Sequence, residues 1–300
     1  MEQLPTGASL NFNTGNTSSG DVIALKHKTT EKPVHRTKLR LFLGRSCYTL
    51  LRYVDWYRGN KRFAGQIRSD RLEYKAISHK TPLIRKLHNV DVDMKLQYNK
   101  AVNLRIAAGR LNGLVIKPSE TFSFWKLVGK PTYRKGYLDG LVLKPDGTFG
   151  AGAGGGLCQL TNLIYWITLH TPLTIVERYR HSHDVFPDVN RTQPFGSGAT
   201  CVYNYKDLQI YNGTGIEYQL VVFLAEDFLE GEWRTQAPLS YRYEVYEKEH
   251  YITSTFWGGY IRNNTIFRRI YNSDNELSGD EFVTENHALM MYQPLLQGSE

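Results

Sequence analysis

Apolar residues return at helical spacing in three places along the chain, and alternate with polar ones over much of its second half. From Thr37 to Tyr57, Leu43, Cys47, Leu50, Leu51 and Val54 recur every three or four residues, which predicts a helix with Cys47 on its apolar face. Arg45, Arg52 and Arg58 fall among them. Such a helix either packs on its own domain, with Cys47 as inert core, or lies on a membrane surface as a basic amphipathic helix. Ala101, Leu104, Ala108 and Leu111 predict a second helix over 95–112, closed by Gly113. The third follows a glycine run: Leu160, Leu163, Ile164 and Ile167 mark its buried face, and Thr171-Pro172 stops it.

Between these helices, 121–125 reads as a short aromatic strand and 128–140 as a loop broken by Gly129, Pro131 and Gly136. Leu141 to Leu143 reads as a strand, with Asp146-Gly147 as a hairpin turn. After the third helix, 173–177, 200–205, 207–212 and 218–224 read as strands. The alternation of Tyr241, Tyr243 and Val245 extends that pattern into the tail. The expected fold class is α+β: N-terminal helices, a central Cys-bearing helix packed on a largely antiparallel sheet, and a β-rich C-terminal extension. Residues 1–33, rich in Gly, Asn, Thr and Ser, are expected to form a disordered leader or tail. They precede a basic helical region (34–93), a core domain (94–225) and the extension (226–300).

Three hundred residues with 41% hydrophobic content suffice for one large core. The net charge of +8 is concentrated: residues 34–100 hold 16 Lys and Arg against 5 Asp and Glu, a net of +11. That excess suits a solvated face, or attraction to nucleic acid, anionic lipid or an anionic polymer. Cys47, Cys158 and Cys201 are too few for a disulfide framework, and no CxxC pair suggests a zinc ribbon. No run of about 18 apolar residues and no signal-peptide pattern occurs. The chain as written is expected to be cytoplasmic or peripheral to the inner membrane face, and extracellular if a leader is missing.

Chemistry concentrates at the glycine run. Gly150 to Gly156 contains only Gly and Ala, which allows a tight turn with positive φ, and Cys158 then falls in the first turn of a helix. Unpaired N–H groups and the helix dipole there favour a thiolate and can hold an oxyanion. A nearby histidine would complete a thiol acyltransferase or hydrolase, and Arg180-His181-Ser182-His183-Asp184 supplies candidates. A Walker loop is excluded, because Leu157-Cys158 stands where Lys and Ser/Thr are required. A dinucleotide fingerprint (Gly150, Gly152, Gly155, with Glu177 downstream) is opposed by the interruption Lys144-Pro145-Asp146-Gly147 and by the missing βα alternation. Zinc held by Cys158, His181 or His183, and Cys201 matches no familiar spacing.

The series Pro118-Ser-Glu-Thr-Phe-Ser-Phe124, Val128-Gly129, Gly136-Tyr137, Gly154-Gly-Gly-x-Cys158-Gln159, His181-Ser182 and Gly196-x-x-Ala199-Thr200 resembles the VanW family over 96–212. The resemblance implies a link to glycopeptide (vancomycin) resistance and to peptidoglycan stem peptides or their precursors. By analogy with some VanW-domain proteins it implies L,D-transpeptidase-like or amidase-like acyl transfer. Cys158 would be the nucleophile and His181 its base. Gln159 and the backbone after Gly154 would shape the oxyanion pocket, with Gly154, Gly155, Gly156, Asn162, Arg180, Ser182 and His183 in support. No metal, no cofactor and no nucleic-acid partner are expected, while peripheral contact with anionic membrane is. The family pattern has Asp where this chain has Gly198, so Asp184, Asp188 or Asp207 would have to orient the histidine. The alternative is a non-catalytic accessory protein that binds cell-wall precursors or partners at the membrane.

Overall fold

The computed structural model describes residues 37–84, 93–143, 148–181, 183–185, 193–292 and 294. The leader 1–33, the Asp146-Gly147 turn, Ser182 and Asp188 lie outside them. In chain order the elements begin α1 (Lys38–Arg58), β1 (Arg62–Phe63), β2 (Gln66–Ile67), β3 (Tyr74–Pro82), α2 (Met94–Leu111), β4 (Leu114–Ile116), β5 (Glu120–Ser123) and α3 (Phe124–Val128). Then come β6 (Asp139–Leu143), β7 (Phe149–Ala153), α4 (Cys158–Leu169), β8 (Thr174–Glu177), β9 (His183–Asp184), β10 (Gln209–Tyr211) and β11 (Tyr218–Leu224). The last four are β12 (Phe228–Thr235), β13 (Arg242–Ser254), β14 (Tyr260–Tyr271) and β15 (Leu277–Met290). The α+β class and the three long helices agree with the hydrophobic periodicity.

The core lies between α2, α4 and a five-stranded sheet of order β2-β4-β11-β12-β3. All its pairings are antiparallel. Leu160, Leu163, Ile164 and Ile167 bury the inner face of α4, at roughly 2 kcal/mol each. Thr168 Oγ1 on α4 accepts a 3.0 Å bond from the Trp233 indole on β12, which satisfies both buried polar groups. Leu104, Ala108 and Leu111 of α2 are buried as the spacing required. The described residues of the region 34–93 contribute one helix and three strands, and β3 is an edge of this sheet along its whole length.

Four differences from the expected elements have physical causes. Phe124 and Trp125 open a short helix instead of ending a strand, because the Ser123 side chain caps the Lys126 amide and turns the chain. Residues 200–205 form no strand. They fold back at Asn204, whose φ is +49°, and leave only isolated bridges from Thr200 to Tyr179 and from Val202 to Lys206. The first half of the glycine run is a strand, β7, paired antiparallel with β6, so Gly150 and Gly152 lie in a sheet and not in the loop before the helix, where a dinucleotide fingerprint needs them. Cys47 is exposed, because α1 turns its opposite face to the core. Trp56, Arg52 and Asp55 of that face meet Ser123, Glu177 and Lys61.

The last three strands form a meander, β13-β14-β15, whose far edge pairs in parallel with β9 through Leu289–His183 and Met290–Asp184.

Candidate functional site

Cys158 is the first residue of α4, and two glycines with positive φ, Gly154 (+78°) and Gly156 (+89°), turn the chain into it. Gly155 sits so close to Gly140 on β6 that a Cβ on either would meet the other's backbone. Asn103 of α2 fixes the turn from below. Its amide donates to the Gly155 and Leu138 carbonyls at 3.0 Å each and accepts from the Leu138 N–H at 2.8 Å. The Gly155, Leu157 and Gln159 amides bond within the turn, whereas those of Gly156 and Cys158 have no backbone acceptor among the described residues.

A second wall comes from residues 196–207. The Cys158 sulfur lies 3.4 Å from Thr200 Oγ1 and 3.9 Å from Cys201 Sγ. The exposed His181 side chain hydrogen-bonds to the same sulfur. The Cys158 thiol is held well below its ordinary range, first by the hydrogen bond from Cys201 and then by the bond and charge of His181 and the bond to Thr200. Burial opposes this lowering and does not overcome it. Burial and the neighbouring Cys158 charge push Cys201 well above its usual value, so Cys201 keeps its proton and donates. Lys206 is also near. Burial lowers its ammonium while the Cys158 charge raises it.

The wall is tied down from behind. Arg178 donates to the carbonyls of Gly196 and Gly198, the latter at 2.7 and 2.9 Å, and stacks over the Tyr165 ring. Asn162 Oδ1 accepts from the Ala199 amide at 2.7 Å, and a Cβ on Gly198 would stand 2.7 Å from the same oxygen. Gly198 therefore permits the close approach of this loop to α4.

The structure thus brings together Cys158, His181, the Gly154–Gly156 turn and, behind the wall, Asn162. It separates others. Gln159 does not face the thiol: its amide nitrogen is committed to Thr81 Oγ1 (2.9 Å) and the Pro82 carbonyl (2.8 Å) on β3, because it lies on the next face of α4. Arg180 bonds to the His181 carbonyl, and burial, helped by the neighbouring Arg178 charge, lowers its guanidinium to about 10. His183 belongs to β9. Neither Asp184 nor Asp207 is hydrogen-bonded to His181. Asp184 pairs with Arg262 and Tyr292, and Asp207 accepts from Ser123, Trp125 and Leu208. No group of three or more His, Cys, Asp or Glu placed to hold a metal occurs among the described residues. Thr200, Cys201 as a hydrogen-bond donor, and Lys206 were not found from sequence. Their signal was the Ala199-Thr200-Cys201 continuation of the motif, read as strand.

A cysteine at a helix N-terminus, entered through a glycine hairpin and contacted by a histidine from a separate strand connection, defines a thiol-bearing α+β domain. Residues 99–234 match the family model described as VanW like protein. It is 43% identical over 149 residues to the vancomycin B-type resistance protein VanW of Enterococcus faecalis, covering 48% of this chain and 52% of that protein. It is 32% identical over 114 residues to the uncharacterized protein YoaR of Bacillus subtilis, covering 38% and 36% respectively. The chain thus spans about half the length of the first relative and about a third of the second. No solved structure matches it.

Proposed function

We propose that this protein performs cysteine-dependent acyl transfer on peptidoglycan stem peptides or their precursors, in the setting of glycopeptide resistance that the name of its Enterococcus relative carries. The observation behind this reading is the Cys158 sulfur, lowered towards thiolate and bonded by Cys201, Thr200 and His181 at the start of α4. The Cys158 thiolate attacks an amide carbonyl carbon of the stem peptide. The carbon–sulfur bond forms as the carbon–nitrogen bond breaks, and the departing amine takes its proton from the His181 imidazolium. The Gly156 and Cys158 amides, which have no backbone acceptor among the described residues, would donate to the developing oxyanion. An acceptor amine or water, deprotonated by His181, then releases the acyl group and restores the thiolate. Incubating the protein with stem pentapeptides ending in D-Ala or D-Lac tests this by intact-mass spectrometry. A thioester on Cys158, absent in Cys158→Ala, is the expected result. An unmodified thiol with every stem peptide and no released amine would sink the proposal.

A second reading, a non-catalytic accessory that binds cell-wall precursors, is favoured by one observation. Asp184 and Asp207 are engaged elsewhere, so no described acid orients His181. It predicts peptide binding that survives Cys158→Ala.

A further inference from the structure

Helix α1 is attached to the body along one side, and in its last two turns also through Tyr53 and Tyr57, the latter under Lys126 Nζ at 4.0 Å. Arg52 bonds to Glu177, Tyr53 to the Tyr203 hydroxyl at 3.1 Å, and Tyr48 packs edge-on against Tyr205. Among its described side chains only Trp56 is buried. At 3.6 residues per turn, Leu39, Phe42, Leu43, Cys47, Leu50 and Val54 fall within an arc of about 140° on the opposite side. All six are exposed, with Leu39 and Phe42 at 67% and Leu50 at 65%. Single exposed leucines are ordinary, but a continuous helical face of them marks a surface that is covered in use.

The flanking charges identify what covers it. Arg40 and Arg58 border the arc on one side, and Arg45 lies about 60° beyond its other edge, all three exposed. The one acid of the helix, Asp55, lies on the docked face with Lys61 at 2.9 Å. Two copies of this face would set like charges against each other. An anionic bilayer surface instead accepts the apolar arc among its acyl chains while the arginines reach the head groups. We propose that α1 is a membrane-surface helix for anionic lipid, a reading that stands independently of the acyl-transfer chemistry. Tyr203 and Tyr205, which α1 touches, belong to the loop that carries Thr200, Cys201 and Lys206. Docking therefore sets one wall of the Cys158 site close beneath the lipid.

Co-sedimentation of the full chain with extruded vesicles tests the proposal. Binding is expected to equimolar phosphatidylglycerol–phosphatidylcholine and not to phosphatidylcholine alone, and to weaken as salt rises above about 0.1 M. Arg40→Gln and Arg45→Gln should each reduce it roughly fivefold, and Leu43→Glu with Leu50→Glu should abolish it while the melting temperature is unchanged. Lack of pelleting with anionic vesicles would overturn the proposal, as would equal binding to both compositions. A dimer in light scattering that Leu43→Glu dissolves, without vesicle binding, would assign the face to a second copy instead.

Discussion

The Cys201 thiol lies 3.9 Å from the Cys158 sulfur and holds its own proton, so two cysteines 43 residues apart divide their roles. One donates and the other carries the charge. In the folded protein Cys158 loses its proton at lower pH than a free thiol, whose value is 9.0 on the same scale. The stabilisation from its partners is therefore present above that ordinary value and is lost as pH falls through the lowered one. In a Cys47→Ser background, the rate of Cys158 alkylation by iodoacetamide should inflect well below the ordinary thiol value. Cys201→Ala should displace the inflection upward most and His181→Ala less. An inflection at or above the free-thiol value in the parent would contradict this assignment.

The ion pair between Arg52 and Glu177, with side chains 11% and 17% exposed, fastens α1 to β8. Glu177 also accepts from the Asp207 amide at 3.2 Å, so its loss loosens the loop behind Cys201. Arg52→Ala should cost about 3 kcal/mol in urea unfolding. A double-mutant cycle with Glu177→Gln should give a coupling above about 1 kcal/mol, and a cycle that closes at zero would show the contact to be incidental.

Gly155→Ala forces a methyl into the Gly140 backbone. It should destabilise the protein by roughly 3 kcal/mol, the upper end of ordinary overpacking. Gly152→Ala in the same run meets only the Val142 methyl at 3.5 Å and should be close to neutral in the same thermal melt.

Asp207 is buried and its carboxyl is raised from 3.8 to about 6. A raised folded value means that ionisation opposes folding: the cost is complete above pH 6 and disappears as pH falls towards 4. A shift of that size is worth roughly 3 kcal/mol. Asp207→Asn should therefore gain stability relative to the parent at pH 7 to 8, and the two unfolding curves should converge near pH 4. A difference independent of pH would assign the effect to the hydrogen bonds with Ser123 and Trp125 instead.

How far the sequence discloses the site depends on which period each part follows. The α4 stripe and the glycines before it carry their own signal, so Cys158 at a helix start was legible, and His181 was legible as the histidine following the next strand. The opposite wall was not. Residues 200–205 alternate as a strand does, yet Asn204 takes a left-handed conformation and folds them into the loop that aims Thr200 and Cys201 at the sulfur. Gln159 adjoins the nucleophile in sequence, but one helical step of about 100° turns it to β3. For α1 the period gave the helix and its apolar face, while the choice between core and solvent depended on Arg52, Trp56 and their distant partners. Local pattern contains no record of those contacts.

The parallel pairing of β15 with β9 also governs order in time. His183 and Asp184, two and three residues past His181, are held by Leu289 and Met290. Synthesis proceeds from the N-terminus, so the glycine turn, Cys158 and the Cys201 loop are all made about eighty residues before the strand that clasps the histidine segment exists. A nascent chain therefore carries its thiol before the strand that holds the segment beside His181 has been made.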